Sequence, residues 1–331
     1  MIEWHLPLLV FTLFLLPSRC QHPRPTTLRT TFRSHLRLTM TSILLLKPCQ
    51  RLTAAPPSPL FLLCGGFLLP SSSYNSWIET IMFKFPQAQV RFIQDASSLS
   101  NELPLFEASE AVLNEIKDSS KHTRIILMGH SRGGAVAALS ALREPSRVSA
   151  VVLIDPVDDS STTFINSLII RSCHPTNLPP HLVISTPFGG RSSYYKYAKF
   201  TSSCAPEGRN ADAIWKAFKT CTKNPGAFVK FPELGHFQLF NAMDESESSA
   251  LANVCPSNDR MPQDAIVAYK NLTYTIICRF LELVEGGDAL ESKLEASLSE
   301  ALDSTARFRP ALSFEWETSG CIVTGSETSN R

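Results

Sequence analysis

Thr123-Arg124-Ile125-Ile126-Leu127-Met128-Gly129-His130-Ser131-Arg132-Gly133-Gly134 is the stretch whose reading decides the fold. An apolar run, Ile125 to Met128, leads into a Gly-x-Ser-x-Gly turn, and a small-residue segment, Ala135 to Leu142, follows at once. Strand, sharp turn and helix in that order form a nucleophile elbow, which lifts a serine hydroxyl clear of the sheet edge. The turn is tight, so a Cβ at 129 or 133 would crowd the neighbouring strand or helix. Three fixed positions alone would arise by chance in roughly one chain in ten of this size. The flanking strand and helix carry the reading.

Working outward, the sequence alternates apolar runs with helical patterns. Leu60 to Cys64 is apolar without a break and runs into Gly65-Gly66-Phe67. Such a run suits a strand covered on both faces. Further strands are expected at Val90 to Ile93, Val148 to Ile154, Leu182 to Ser185 and, as the last, Ala227 to Phe231, with an earlier candidate at Ser42 to Leu46. Helices are expected from Trp77 to Phe85, over 102–118 with Phe106, Val112, Leu113 and Ile116 on one side, and over 262–284. This alternation predicts an α/β chain with a doubly wound, mostly parallel sheet. Right-handed crossovers then gather the C-terminal ends of the strands on one edge.

Composition narrows the function. The 331 residues are 44% hydrophobic and 18% charged, with a formal net charge of +1. That balance is globular and gives no basic patch for nucleic acid; the expected substrate is uncharged or apolar. None of the nine cysteines forms a C-x-x-C pair, so neither a zinc site nor a thioredoxin-type motif is indicated. A Cys204–Cys221 bridge stays open beside buried free thiols.

The N-terminus reads as a targeting leader, residues 1–40. Leu6 to Leu16 has the length of a signal-peptide core, and Arg24, Arg29, Arg33 and Arg37 follow among many Ser and Thr. No Asp or Glu stands between Glu3 and Glu79. The first part is signal-like and the second transit-like, which suits a chloroplast reached through the secretory route. The endoplasmic reticulum or secretion is the alternative destination, and Met40 the alternative start. A catalytic domain over 41–285 is expected next, then an acidic, weakly helical extension over 286–331 whose end, from about Ser319, reads as disordered.

Serine's hydroxyl is a poor nucleophile near neutral pH and needs a base, which in turn needs an orienting acid. In a chain with this elbow the order is Ser, acid, His. His236, in Glu233-Leu234-Gly235-His236-Phe237 after the final expected strand, is the candidate base. His130 belongs to the turn and is set aside. The strand at Leu182 to Ser185 ends in Thr186-Pro187-Phe188 without a carboxylate, so the acid falls to the strand after the elbow helix. Asp155 sits at that strand's tip before Pro156; Asp158 is the alternative. Two amides must face the developing oxyanion. The N–H of Arg132 is one candidate, and Phe67, with Leu68 as alternative, the other.

These residues resemble the chlorophyllase family, serine esterases of the α/β-hydrolase fold. Gly129-His130-Ser131-Arg132-Gly133-Gly134 matches its lipase-like motif. Ile154-Asp155-Pro156-Val157 is similar to its post-elbow acid segment. Cys204-Ala205-Pro206 with the helix through Trp215 and Lys216, and then Gly235-His236, follow in register over roughly 60–285. Cys64-Gly65-Gly66-Phe67 departs from a His-Gly-Phe type segment, and Phe237-Gln238-Leu239-Phe240 lacks the usual acidic character.

The resemblance implies Ser131 as nucleophile, Asp155 as acid and His236 as base. It implies hydrolysis of chlorophyll to chlorophyllide and phytol, in chlorophyll catabolism, with no metal or organic cofactor. A C20 isoprenoid ester and a flat macrocycle require an apolar cleft. Phe164, Ile165, Leu168, Ile169 and Ile170, and Tyr194, Tyr195, Tyr197 and Phe200, are candidate walls. Such a substrate also implies peripheral contact with a membrane. A broader carboxylesterase or lipase, and a non-catalytic pigment- or lipid-binding protein, are the competing readings.

Overall fold

The computed structural model describes residues 58–66, 69–93, 104–119, 122, 124–158, 178–187, 205–222, 224–240, 260–286, 315–318 and 321–323, with scattered positions between 293 and 300. All belong to one compact unit, 54–331. The Ser42–Leu46 candidate strand, Cys204, and the proposed cleft walls at 164–170 and 194–200 lie outside the described residues.

Six parallel strands form the body of the sheet: β1 (Leu60–Cys64), β2 (Gln89–Ile93), β3 (Ile125–His130), β4 (Ala150–Ile154), β5 (His181–Ser185) and β6 (Gly226–Lys230). Their order across the sheet is β2-β1-β3-β4-β5-β6. Every residue of β1, β3, β4 and β5 is buried, as unbroken apolar runs demand when helices cover both faces. The winding reverses between β1 and β3, so the end of β3 faces a topological switch point.

Crossover handedness assigns the helices to faces. The step from β1 to β2 runs one way and carries α1 (Asn75–Lys84). Later steps run the other way and carry α2 (Leu105–Asp118), α3 (Arg132–Arg143) and α4 (Ala211–Cys221). The core divides accordingly. Phe61, Leu63, Ile126, Met128, Val152 and Ile154 pack with Trp77 and Ile81 of α1 and with Tyr269, Ile276 and Phe280 of α5 (Gln263–Gly286). The alternate residues Leu60, Leu62, Ile125, Leu127, Val151 and Leu153 pack with Val112, Leu113, Ala138, Ile214 and Phe218. This is the period of two expected of a strand buried on both sides.

Local chemistry fixes the helices. The Asn210 side chain accepts the Ala213 N–H at 3.1 Å and so caps the start of α4. Arg143, in the last turn of α3, donates to Ser109 Oγ at 2.7 Å, pairs with Glu110, and lies 4.0 Å from the Phe106 ring centroid, which ties α3 to α2.

The sheet continues where the sequence reading ended it. β7 (Glu315–Thr318) pairs antiparallel with β6, and β8 (Cys321–Val323) with β7, giving eight strands among the described residues. The strand expected at Ala227 to Phe231 is therefore not the last, and part of the tail expected to be disordered is paired backbone. The physical reason is edge protection. Trp316 buries itself in the core opposite Val229, while Glu317 accepts the Trp215 indole N–H at 3.0 Å and pairs with Lys219. The hairpin covers the edge β6 would otherwise expose.

At the opposite end from the strands' C-terminal edge, His181 is wholly buried at the start of β5. Its Nδ1–H donates to the Pro179 carbonyl at 3.2 Å, and its Nε2, beside the Trp215 and Phe218 rings, has no hydrogen-bond partner. Burial pushes its pKa down from 6.5 to about 4. The unfolded chain therefore takes up a proton between these values that the folded chain refuses. The stabilisation is complete above pH 6.5 and is lost as pH falls towards 4, a change of about 3 kcal/mol. Chemical denaturation of His181→Leu at pH 7, 5.5 and 4.5 is expected to show an acid decline shallower than that of the unmodified chain by about that amount.

Candidate active site

The elbow is built by exclusion of side chains. A methyl on Gly133 would lie 2.3 Å from the carbonyl oxygens of Cys64 and Gly65, and one on Gly129 would lie 2.3 Å from that of Gly133. Only glycine lets β3, the turn and α3 approach so closely. Ser131 then takes φ 54° and ψ −129°, outside the regions an L-residue prefers, at a cost of about 1–3 kcal/mol.

Backbone hydrogen bonds hold that strain. The Ser131 N–H donates to the Ile154 carbonyl at 3.1 Å, and the Ser131 carbonyl accepts the Val157 N–H at 3.0 Å. Both partners flank Asp155, so the turn that presents the serine is stitched to the turn that presents the acid. His130 and Ile154 are register partners, which places Ser131 and Asp155 one step beyond them at the tips of adjacent strands. Asp155 has φ 42°.

The Asp155 carboxylate collects three donors. Thr186 gives its backbone N–H to Oδ1 at 2.9 Å and its hydroxyl to Oδ2 at 2.6 Å. His236 gives Nδ1–H to Oδ2 at 2.5 Å, across 81 residues of sequence. A carboxylate can only accept, so the proton sits on Nδ1 and leaves Nε2 as the basic nitrogen. His236 and Asp155 are each 2% exposed and Ser131 is 8% exposed, so this hydrogen bond lies away from solvent.

His236 reaches the site through turns after β6. The Phe231 N–H donates to the Ser185 carbonyl, Leu234 N–H to the Phe231 carbonyl, and the Gly235 N–H to Gln238 Oε1 at 2.6 Å. The imidazole ends 4.8 Å, centroid to centroid, from the ring of His130, the chain neighbour of Ser131.

The structure thus brings Asp155 and His236 together and sets Ser131 at the tip of the strand next to that of Asp155. Asp158, the alternative acid, is buried and its N–H donates to the Arg209 carbonyl at 2.8 Å; the carboxylate on His236 is that of Asp155. Arg132 opens α3, which puts its N–H at the positive end of a helix directly after the serine. Phe67 and Leu68 lie outside the described residues. Gly66, just before them, runs against the elbow: a methyl there would be 3.0 Å from Ser131 Cβ.

Two contributions escaped the sequence reading. Thr186 was noticed only as the place where a carboxylate was missing, yet it supplies two of the acid's three donors. His130, set aside as part of the turn, has its ring fully buried against that of His236.

Comparison with known proteins adds a family. The family model described as Chlorophyllase matches residues 41–283. Among solved structures, the chain is similar to Est1E from Butyrivibrio proteoclasticus, at 15% identity over 60% of this chain and 87% of that one, with a TM-score of 0.38. A YdeN-like hydrolase from Pectobacterium atrosepticum is 16% identical over 60% and 90%, with a TM-score of 0.34. A bacterial membrane phospholipase A is 14% identical over 63% and 80%, with a TM-score of 0.37. A search of curated proteins gave no match.

Thr186→Val keeps the backbone donor and removes the hydroxyl. It is expected to lower stability by about 1–3 kcal/mol, since the buried carboxylate loses one of its three partners. Gly133→Ala is expected to cost at least as much, because backbone oxygens cannot yield to its methyl as a side chain would. Urea unfolding monitored by circular dichroism checks both.

Proposed function

The chain belongs to the chlorophyllase family of ester hydrolases, with the match spanning 41–283, and on that premise we propose that it hydrolyses the phytyl ester of chlorophyll through Ser131, His236 and Asp155. The observation that carries the proposal is the buried hydrogen bond from His236 Nδ1 to Asp155 Oδ2 at the tip of the strand next to Ser131.

In this reading His236 Nε2 takes the Ser131 proton as the oxygen attacks the ester carbonyl, and Asp155 stabilises the imidazolium that forms. The N–H of Arg132, at the start of α3, faces the oxyanion, and the second donor comes from the loop at Phe67. His236 then returns the proton to the departing phytol oxygen. Water, activated by the same nitrogen, releases chlorophyllide and restores the serine. The chain's own groups supply nucleophile, base and oxyanion donors for each step.

A lipase or carboxylesterase acting on acyl lipids would use the same machinery and is the second reading. The same three residues could serve either apolar ester, while the family match favours the phytyl one. Transit to a plastid accords with the leader's composition, and peripheral contact with a membrane with so apolar a substrate; both belong to the proposal.

The full chain, incubated with chlorophyll a and separately with p-nitrophenyl butyrate, is expected to release chlorophyllide and phytol from the pigment. Brisk turnover of the butyrate ester with no chlorophyllide would move the assignment to the second reading. Ser131→Ala is expected to lower kcat by roughly 10⁴-fold or more, and Asp155→Asn by about 10³–10⁴-fold. Asp158→Asn should stay within a few-fold of the unmodified chain. Comparable kcat in Ser131→Ala would refute the mechanism.

A further inference from the structure

A buried chain of polar groups runs behind the site, and the mechanism above does not use it. The Gly66 N–H donates to the Tyr74 hydroxyl oxygen at 2.7 Å. That oxygen stands 3.1 Å from His130 Nδ1, and His130 Nε2 stands 3.2 Å from the carbonyl oxygen of His236. A carbonyl can only accept, so His130 carries its proton on Nε2 and Nδ1 must accept from the Tyr74 O–H. Every donor and acceptor in the chain is then satisfied in one direction: Gly66 to Tyr74, Tyr74 to His130, His130 to His236.

We infer that Tyr74 and His130 are positioning residues that set the backbone of His236 against the loop at Gly66, so that base and oxyanion loop are held to one frame beside Ser131. The inference rests on the reading of His236 as the base.

Four observations support it. Tyr74 is 1% exposed and His130 not at all, so water cannot substitute for either link. The relay joins three parts of the chain that converge on the serine: the loop after β1, the end of β3 and the loop after β6. Aromatic rings wall it in, with Phe240 4.0 Å from the His130 ring and 5.1 Å from that of Tyr74, centroid to centroid. Finally, burial and the neighbouring His236 hold the His130 pKa well below its ordinary value, and burial raises that of Tyr74. Both groups therefore stay neutral, and no second positive charge arises beside His236 when it takes the serine's proton.

The relay separates two substitutions of similar size. Glutamine can place an amide nitrogen where Nε2 stands and keep the donation to the His236 carbonyl. Asparagine reaches only the Nδ1 position and leaves that carbonyl without its donor. In the full chain, kcat and KM for p-nitrophenyl butyrate and for chlorophyll a are to be measured for His130→Gln, His130→Asn, His130→Phe and Tyr74→Phe, each alongside its thermal melt. His130→Gln, which keeps the donation to the His236 carbonyl but gives up the acceptor for the Tyr74 hydroxyl, is expected to lose less than about ten-fold in kcat. His130→Asn and His130→Phe should lose roughly 30-fold or more with KM nearly unchanged, because a misplacement of about 1 Å can cost about 10²-fold. Tyr74→Phe should fall between.

Equal kcat losses in the glutamine and asparagine variants, or losses that track melting temperature alone, would overturn the positioning role. So would unchanged kcat in all four variants while Ser131→Ala is inactive; that result would leave the assignment of His236 standing. An active Ser131→Ala would remove both together.

Discussion

The hydrogen bond between His236 and Asp155 is the constraint on which the rest depends. It closes across 81 residues, at 2.5 Å, between side chains almost without exposure. A polar pair so buried is tolerable only when its remaining valences are filled. Thr186 fills them on the acid, with backbone and hydroxyl together. Three strand ends are thereby committed: β4 carries the acid, β5 the threonine and β6 the loop that returns the imidazole. The order of strands in the sheet is the order in which these groups must lie.

Strain sits at the same edge. Among the described residues, the non-glycine positions with positive φ are Ser131 and Asp155, at the tips of neighbouring strands. Each is a backbone conformation costing about 1–3 kcal/mol in isolation. The links from Ser131 to Ile154 and Val157 bind the two turns to each other, so neither relaxes alone. The rest of the sheet is ordinary close packing on two faces. A rigid scaffold with its irregular backbone at one edge is what a preorganised ester-cleaving site requires.

Much of this could be read from residues alone because its causes are local. Apolar runs such as Leu60–Cys64 and Ala150–Ile154 announce two-faced burial, and the glycines around Ser131 announce a turn with no space for side chains. His236 followed from its place after a strand in the second half of the chain. Asp155 and Asp158 remained together until the structure showed which carboxylate meets the imidazole. What stayed hidden depends on distance or brevity. Strands of four and three residues, Glu315–Thr318 and Cys321–Val323, are too short to show a period, and their pairing depends on Trp316 finding the core. Tyr74 and His130 are 56 residues apart, and nothing near either one signals the bond between them. Thr186 was legible only as the residue at the tip of the next strand; its partner lay 31 residues away.

The most direct test of the account is covalent capture of the nucleophile. The full chain would be treated with a fluorophosphonate ester, digested, and the adduct located by mass spectrometry. The account predicts a single adduct on Ser131, formed rapidly in the unmodified chain and far more slowly in Asp155→Asn. An adduct on another serine, or none in a chain that still hydrolyses esters, would contradict it.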